Sequence, residues 1–600
     1  MTNYSLNWDL EAIFPGGSNS PELQARLALL KDQISAYETN VTDWQPATDY
    51  PNFKLFAELI AESEVIEKGF SETGSFINAV QSADVHDKKT NTLFGTLHSL
   101  STLFSNAQLI FIKKLTAITD DHWSALLQTE VALQAGVAFN LEEARRDGKK
   151  LLSEAEENII NHLSVDGFNA WSSHYDTIVS SIEIEYGGET LSAGQTFNKM
   201  MGDPDAQVRK ELFTIWEKTW ADKAPIFADT LNHLDGFRIT NNHLHGIDDH
   251  LEKPLQYNRM KKETLDAMWG AITENKPFFI DFLTRKAQLF GKEKMEWQDQ
   301  DAPIILGDLK EKRYSFDEAA EFIIENFAKF SPKMATFAQK AFENSWIEAE
   351  DRPGKRPGGY CTGLGESQES RIFMTYGESI NEVATLAHEL GHAFHSEVMW
   401  DMPLMSQDYA MNVAETASTF AELIVADATL KSAETKEEKI NLLDTKMQNA
   451  TAMFMNIHAR FIFENNFYTA RKDNVLTDEE ITQLMLEAQK ESYQDSLATY
   501  HPHFWASKLH FFIDSVPFYN FPYTFGYLFS NGIYAFAQQT EGNFEDQYIA
   551  LLRDTASMTT EELAMKHLNV DLTKPDFWQA GIDIVKKDIA DFMALTEDYI

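Results

Sequence analysis

Helical spacing runs through most of the 600 residues, as in Pro21-Glu22-Leu23-Gln24-Ala25-Arg26-Leu27-Ala28-Leu29-Leu30, and long stretches lack the Gly or Pro punctuation that strands require. A chain patterned this way has to be predominantly α. Strand-like segments are few: Ile182-Glu183-Ile184-Glu185-Tyr186 alternates and stops at Gly187-Gly188, and Arg371-Ile372-Phe373-Met374-Thr375-Tyr376 stops at Gly377. A small sheet is therefore expected beside the helices. Turn residues between Gly188 and Pro204 separate two helical blocks, which gives 1–195 and 196–600 as the expected units. The stretch from Asp351 to Gly365 carries too much Gly and Pro for a helix and is expected to be a loop, over a site or on the surface.

Charge removes several function classes. Asp plus Glu number 93 against 51 Lys plus Arg, and the resulting net charge of −42 would repel nucleic-acid phosphates and anionic lipid headgroups. Hydrophobic residues make up 43%, enough for a large core and too much for a disordered chain. Cys361 is the only cysteine, so no intrachain disulfide can form. The opening residues lack the basic and apolar regions of a secretory signal, and no apolar run approaches the roughly 18–20 residues that span a bilayer. Cytoplasmic residence is the expectation; oligomeric state is not legible.

Residues 388–392 read His-Glu-Leu-Gly-His, the HExxH pattern in which two imidazoles one helical turn apart converge on a single metal. Ser379-Ile380-Asn381-Glu382 is a capping box upstream, so the motif falls inside a helix. Helical phase gathers Val383, Leu386, Leu390, Ala393 and Phe394 on one side, with Asn381, Ala384, Thr385, His388 and His392 on the other. Gly391 costs roughly 1 kcal/mol of helix propensity relative to Ala, but leaves room for close approach by another element.

Catalytic zinc usually takes three protein ligands and a water, so a third ligand is needed. His395 lies about 10.5 Å along the helix from His388, which suits a structural role better than a shared ion. A carboxylate from a second helix is the alternative, and the segment Asn412–Glu422 offers Glu415 on one face with Ser418, Thr419 and Glu422, while Val413, Phe420 and Ile424 lie opposite. Glu422 could orient a ligand.

The run Thr385-Leu386-Ala387-His388-Glu389-Leu390-Gly391-His392-Ala393-Phe394-His395, followed by Glu415-Thr416-Ala417-Ser418 and Glu422, resembles oligoendopeptidase F, within the thimet oligopeptidase family of zinc peptidases. Weaker matches lie at Trp297-Gln298-Asp299-Gln300-Asp301-Ala302-Pro303 and Gly358-Gly359-Tyr360-Cys361, extending the resemblance over roughly residues 200–590. The segment Pro517–Tyr527 resembles the family's tyrosine-rich segment, departing from it at Pro517 and Phe525, where histidine and tyrosine are common.

The resemblance implies a mostly helical, clam-like metallopeptidase with a deep central cleft, a small sheet near the active site, an N-terminal helical part of the cleft wall and a catalytic domain over 196–600. It also implies one Zn2+ held by His388, His392 and Glu415, with Glu389 as general base, and oligopeptides as the partners. Tyr519, Tyr523 and Tyr527 would help to stabilise the reacting carbonyl, and His510 would supply a further donor. The Arg371–Tyr376 strand is a place where a substrate backbone could pair. Two rival readings remain: a zinc carboxypeptidase or peptidyl-dipeptidase, which needs an anchor for a C-terminal carboxylate, and a peptide-binding protein without turnover.

Overall fold

The computed structural model describes residues 3–47, 50–128, 136–307, 312–540 and 544–600. Helices dominate, as the periodicity predicts. Three long N-terminal helices, α1 (Pro21–Asp43), α2 (Tyr50–Ala83) and α3 (Lys89–Ala117), pack around Leu23, Leu30, Phe76, Leu93 and Phe111. Ser20 starts α1 by accepting from the Leu23 N–H, with Pro21 in the first turn, where a missing donor costs nothing. The later helices share a larger core that runs from Tyr175 to Phe592.

Strands β1 (Glu183–Tyr186) and β2 (Glu189–Ser192) form an antiparallel hairpin whose turn needs positive φ at Gly187 and Gly188, 62° and 85°. A second sheet contains β3 (Ile347–Glu348), β4 (Tyr360–Leu364) and β5 (Glu369–Phe373) in the order β3-β5-β4. This sheet corrects two expectations. The Asp351–Gly365 stretch is not loop throughout, because β4 takes up its Tyr360–Leu364 part, pairing Tyr360 with Phe373 and Thr362 with Arg371. Nor is the Arg371–Phe373 part of the expected strand open to a substrate backbone. Its partners β3 and β4 occupy both edges, and beyond β5 the Met374 and Tyr376 N–H groups donate to the Glu348 and Ala349 carbonyls at 2.9 Å.

The sheet's outer strand on this side is β4. The Gly363 carbonyl accepts from Ser75 Oγ at 2.8 Å and Ser71 Oγ at 3.2 Å, so α2 is stitched to β4. Among the described residues, no helix is long and apolar enough to cross a membrane.

Candidate active site

Ser379 and Glu382 close the capping box, and the motif helix runs from Ile380 to Glu397. Its apolar face is fully interior: Val383, Leu386, Leu390, Ala393 and Phe394 are all buried. The other face, with Asn381, Ala384, Thr385, His388 and Glu389, lines a cavity of about 630 Å³. The role of Gly391 is steric. A Cβ there would stand 2.5 Å from the Ala417 carbonyl oxygen and 2.6 Å from Ser418 Cα, so glycine alone admits the second helix at this distance.

That second helix is interrupted at the residue of interest. Helical turns cover Met411–Ala414 and Thr416–Ser432, and Glu415 sits between them at φ −86°, ψ 4°. Ser530 points its hydroxyl between the carbonyls of Glu415 and Thr416, at 3.2 and 3.3 Å, adding a side-chain donor at the break beside the Thr419 N–H that the Glu415 carbonyl already accepts at 3.0 Å. Ser530 belongs to the tyrosine-rich helix Phe521–Gln539, which presses close to Glu415 because residue 526 is glycine; a Cβ there would lie 3.0 Å from Glu415 Cβ.

Three elements thus bring His388, His392 and Glu415 together. Glu415 Oε2 lies 3.3 Å from His388 Nε2 and 3.4 Å from His392 Nε2, and the three donor atoms all fall within 4.8 Å of one another. Ligands about 2.0–2.2 Å from a tetrahedral zinc are about 3.4 Å apart, so these edges match a four-coordinate ion with one corner left over. Ser418 Oγ donates to Glu415 Oε2 at 2.6 Å, and His388 Nδ1 meets Glu422 Oε2 at 3.3 Å, which fixes the imidazole with Nε2 toward the centre. Replacing Glu422 with Gln should weaken metal affinity about 10–100-fold without abolishing binding; titration against a competing chelator measures it, and unchanged affinity would remove Glu422 from the site.

Electrostatics favour a cation here. Burial lowers the His392 pKa to about 4, so the ring is neutral at pH 7 with a lone pair available. Burial also opposes protonation of His388, but the Glu422 hydrogen bond and the charges of Glu415 and Glu422 carry its pKa above the usual value. Burial pushes Glu389 up to about 7, against the pull of His388, and its Oε2 is buried without a hydrogen-bond partner. A carboxylate in this state is poised to exchange a proton near neutral pH. Cys361 on β4 has its thiol pushed up, first by burial and then by the Glu389 charge, so it is not a thiolate nucleophile.

His395 belongs elsewhere: it is fully buried, its Nε2 meets Leu552 O at 3.1 Å and Thr555 Oγ1 at 3.0 Å, and its ring stacks on Tyr409. Tyr523 and Tyr527 line the same cavity as His388 and Glu415. Tyr519 stands one ring further out, 5.9 Å from Tyr523, with His510 stacked on it at 5.2 Å. Phe525 points the other way, into the core against Trp578 and Phe529, which explains why a hydroxyl is dispensable at that position.

Sequence reasoning missed Gly359, Gly526 and Arg460. A Cβ at Gly359 would lie 3.7 Å from Glu389 Oε1, so this glycine keeps β4 close to the carboxylate. Arg460 donates to His510 Nδ1 at 3.4 Å and Asn520 Oδ1 at 2.8 Å. It follows a π-helical turn at Ala452–Asn456, which leaves the Met453 and Met455 carbonyls to accept from Thr524 and Ser492. Only the Gly359 signal, a second glycine in a Gly-rich run, was visible locally.

Residues 199–584 match the family description "Peptidase family M3", and residues 114–183 match "Oligopeptidase F". The chain belongs to peptidase family M3. Among M3 relatives, Oligopeptidase PepF of Bacillus subtilis is 21% identical over 97% of this chain and 86% of its own, and an oligoendopeptidase F homolog of Borreliella burgdorferi is 22% identical over 97% of each. A crystal structure from Chlamydophila abortus superposes with a TM-score of 0.80 at 19% identity over 98% of both chains. Oligoendopeptidase-F of Enterococcus faecium gives 0.68 at 16% identity over 96% and 99%. The expected resemblance and the mostly α metallopeptidase fold are both borne out, and membership of M3 makes the chain a peptidase with a metal-capable His388, His392, Glu415 group.

Proposed function

We propose that this M3 peptidase is a zinc-dependent endopeptidase acting on short, unfolded oligopeptides. The observation that carries the reading is the triangle of Nε2, Nε2 and Oε2 atoms with 3.3 and 3.4 Å edges beside a buried, unpartnered Glu389. Bound among these donors, zinc would supply Lewis acidity toward a water and a peptide carbonyl. Glu389 takes the proton of the attacking water and delivers it to the leaving amine, which fits its elevated pKa. Tyr523, which lines this cavity with Tyr527 and neighbours Tyr519, would donate to the carbonyl oxygen as charge develops. His510 offers Nε2–H, because Arg460 occupies Nδ1.

Residues 1–195 are assigned to the cleft wall and 196–600 to catalysis. Support comes from a second cavity of about 760 Å³, bordered by Glu67, Ser71 and Ser75 of α2 and by Thr362 and Gly363 of β4. Incubation with a mixed peptide pool should yield cleavage at internal bonds, lost with chelator and restored by zinc, as read by mass spectrometry. Chelator-insensitive cleavage, or release of single C-terminal residues alone, would overturn the assignment.

A further inference from the structure

In a chain with 93 acidic side chains against 51 Lys and Arg, a cation without a carboxylate partner is an exception. Among the described residues, two cations with no carboxylate within ion-pair distance stand together beyond the tyrosines, Lys508 feeling Asp301 only from further away. The guanidinium of Arg460 and the ammonium of Lys508 both lie over the ring of Phe504, at 5.2 and 5.3 Å from its centroid, and Lys508 also lies 4.6 Å from the ring of Phe197. Arg460 spends Nε on Asn456 and Nη1 on Asn520 and His510, all neutral acceptors. Among the described residues, Nη2 of Arg460 and Nζ of Lys508 have no hydrogen-bond partner, and neither atom is sealed from solvent.

The segment that carries Lys508 is rigidly held. Tyr175 stacks on Phe512 at 3.9 Å and donates to the Ala506 carbonyl at 3.1 Å, while His501 Nε2 meets Ser507 Oγ at 3.1 Å. Two like charges fixed near one ring in a partly dehydrated wall repel, and the carboxylate whose charge reaches Lys508, Asp301, stands beyond ion-pair distance, so a further anion between them is favoured. The cost is visible on Lys508: burial, then Arg460, pushes its pKa down to about 7. The pair is linked to the reaction centre through His510, stacked on Tyr519, which neighbours Tyr523.

We propose that Lys508 and Arg460 form a carboxylate-binding subsite that receives the C-terminal carboxylate, or an acidic side chain, of the bound peptide. The cavity at the metal residues is acidic, with Glu389, Glu415 and Glu422, and the cationic pair lies outside its lining, past Tyr519 and His510, so a peptide reaching from one to the other would be given an electrostatic direction. This rests on the peptidase reading above, and it makes the carboxylate a contributor to affinity rather than a condition for cleavage.

Binding separates the two ideas, since it needs no turnover. A fluorescein-labelled heptapeptide, as free acid and as C-terminal amide, is titrated into zinc-loaded Glu389→Gln protein, alone and combined with Lys508→Met. Lys508 makes no hydrogen bond that the substitution would break, and Lys508→Arg serves as the conservative control for folding. The free acid should bind about 10-fold tighter than the amide, and the preference should vanish in Lys508→Met and survive in Lys508→Arg. If the preference instead follows an internal Glu, tested by its Gln counterpart, and is lost in Lys508→Met, the subsite stands with a side chain as its source. No preference for either carboxylate, or a preference that persists in Lys508→Met, overturns the proposal. Cleavage of the peptide pool by the wild-type enzyme is scored separately, so the subsite can fail while the peptidase assignment survives.

Discussion

Glu389→Gln should bind one metal ion per chain with unchanged stoichiometry while kcat falls by about 10³-fold. Gln fills the same space beside Gly359, so the cavity wall keeps its shape, but it cannot take a proton from water. Retention of full activity would show that another group is the base, and loss of the metal would show that Glu389 is needed to build the site. The metal-free forms give an independent readout. Burial raises Glu389 from 4.5 to about 7, so between those values the unfolded chain releases a proton that the folded chain keeps. Folded-state stability therefore falls as pH rises through that window, and below pH 4.5 the penalty disappears. The chelated variant should resist denaturant better than chelated wild type at pH 8 and match it at pH 4; equal midpoints at pH 8 would contradict the burial argument.

Gly391→Ala should be among the most damaging single-methyl changes in the protein. In an exposed helix interior the substitution stabilises by about 1 kcal/mol. Here the added carbon meets backbone atoms of Ala417 and Ser418 at 2.5–2.6 Å, and backbone cannot step aside as a flexible side chain would. The expected sign is reversed, to a loss of about 3 kcal/mol. Separating the two helices also moves Glu415 away from both imidazoles, so metal stoichiometry should drop with the denaturation midpoint. A variant as stable as wild type with full metal content would mean that the helices are not held this closely.

Much of the site was legible because it is local. The capping box, the histidine spacing, the apolar stripe of Val383, Leu386, Leu390, Ala393 and Phe394, and the face shared by Glu415, Ser418 and Glu422 all follow from helical periodicity. Periodicity could not show that the second helix breaks at Glu415, since the break is supported by Ser530, 115 residues away. It could not show which strand lies outermost, because sheet order depends on pairing between distant segments; β3 and β5 pair directly and in parallel, although β4 lies between them in sequence. Gly526 and Arg460 were hidden for the same reason. Their partners, Glu415 in one case and His510 and Asn520 in the other, are supplied by tertiary packing, and an isolated Gly or Arg inside a helical pattern carries no mark of it.

The serine stitches between α2 and β4 have a mechanical consequence. Ser71 and Ser75 grip the Gly363 carbonyl, and four residues earlier the same strand leads back to Gly359 beside Glu389. A rocking of the N-terminal bundle away from the sheet would either snap these links or drag the strand with it. If the bundle walls the cleft and Glu389 is the base, as proposed above, admission of a peptide and the surroundings of that carboxylate are geared to one another, and an opened form would also be one whose base is disturbed.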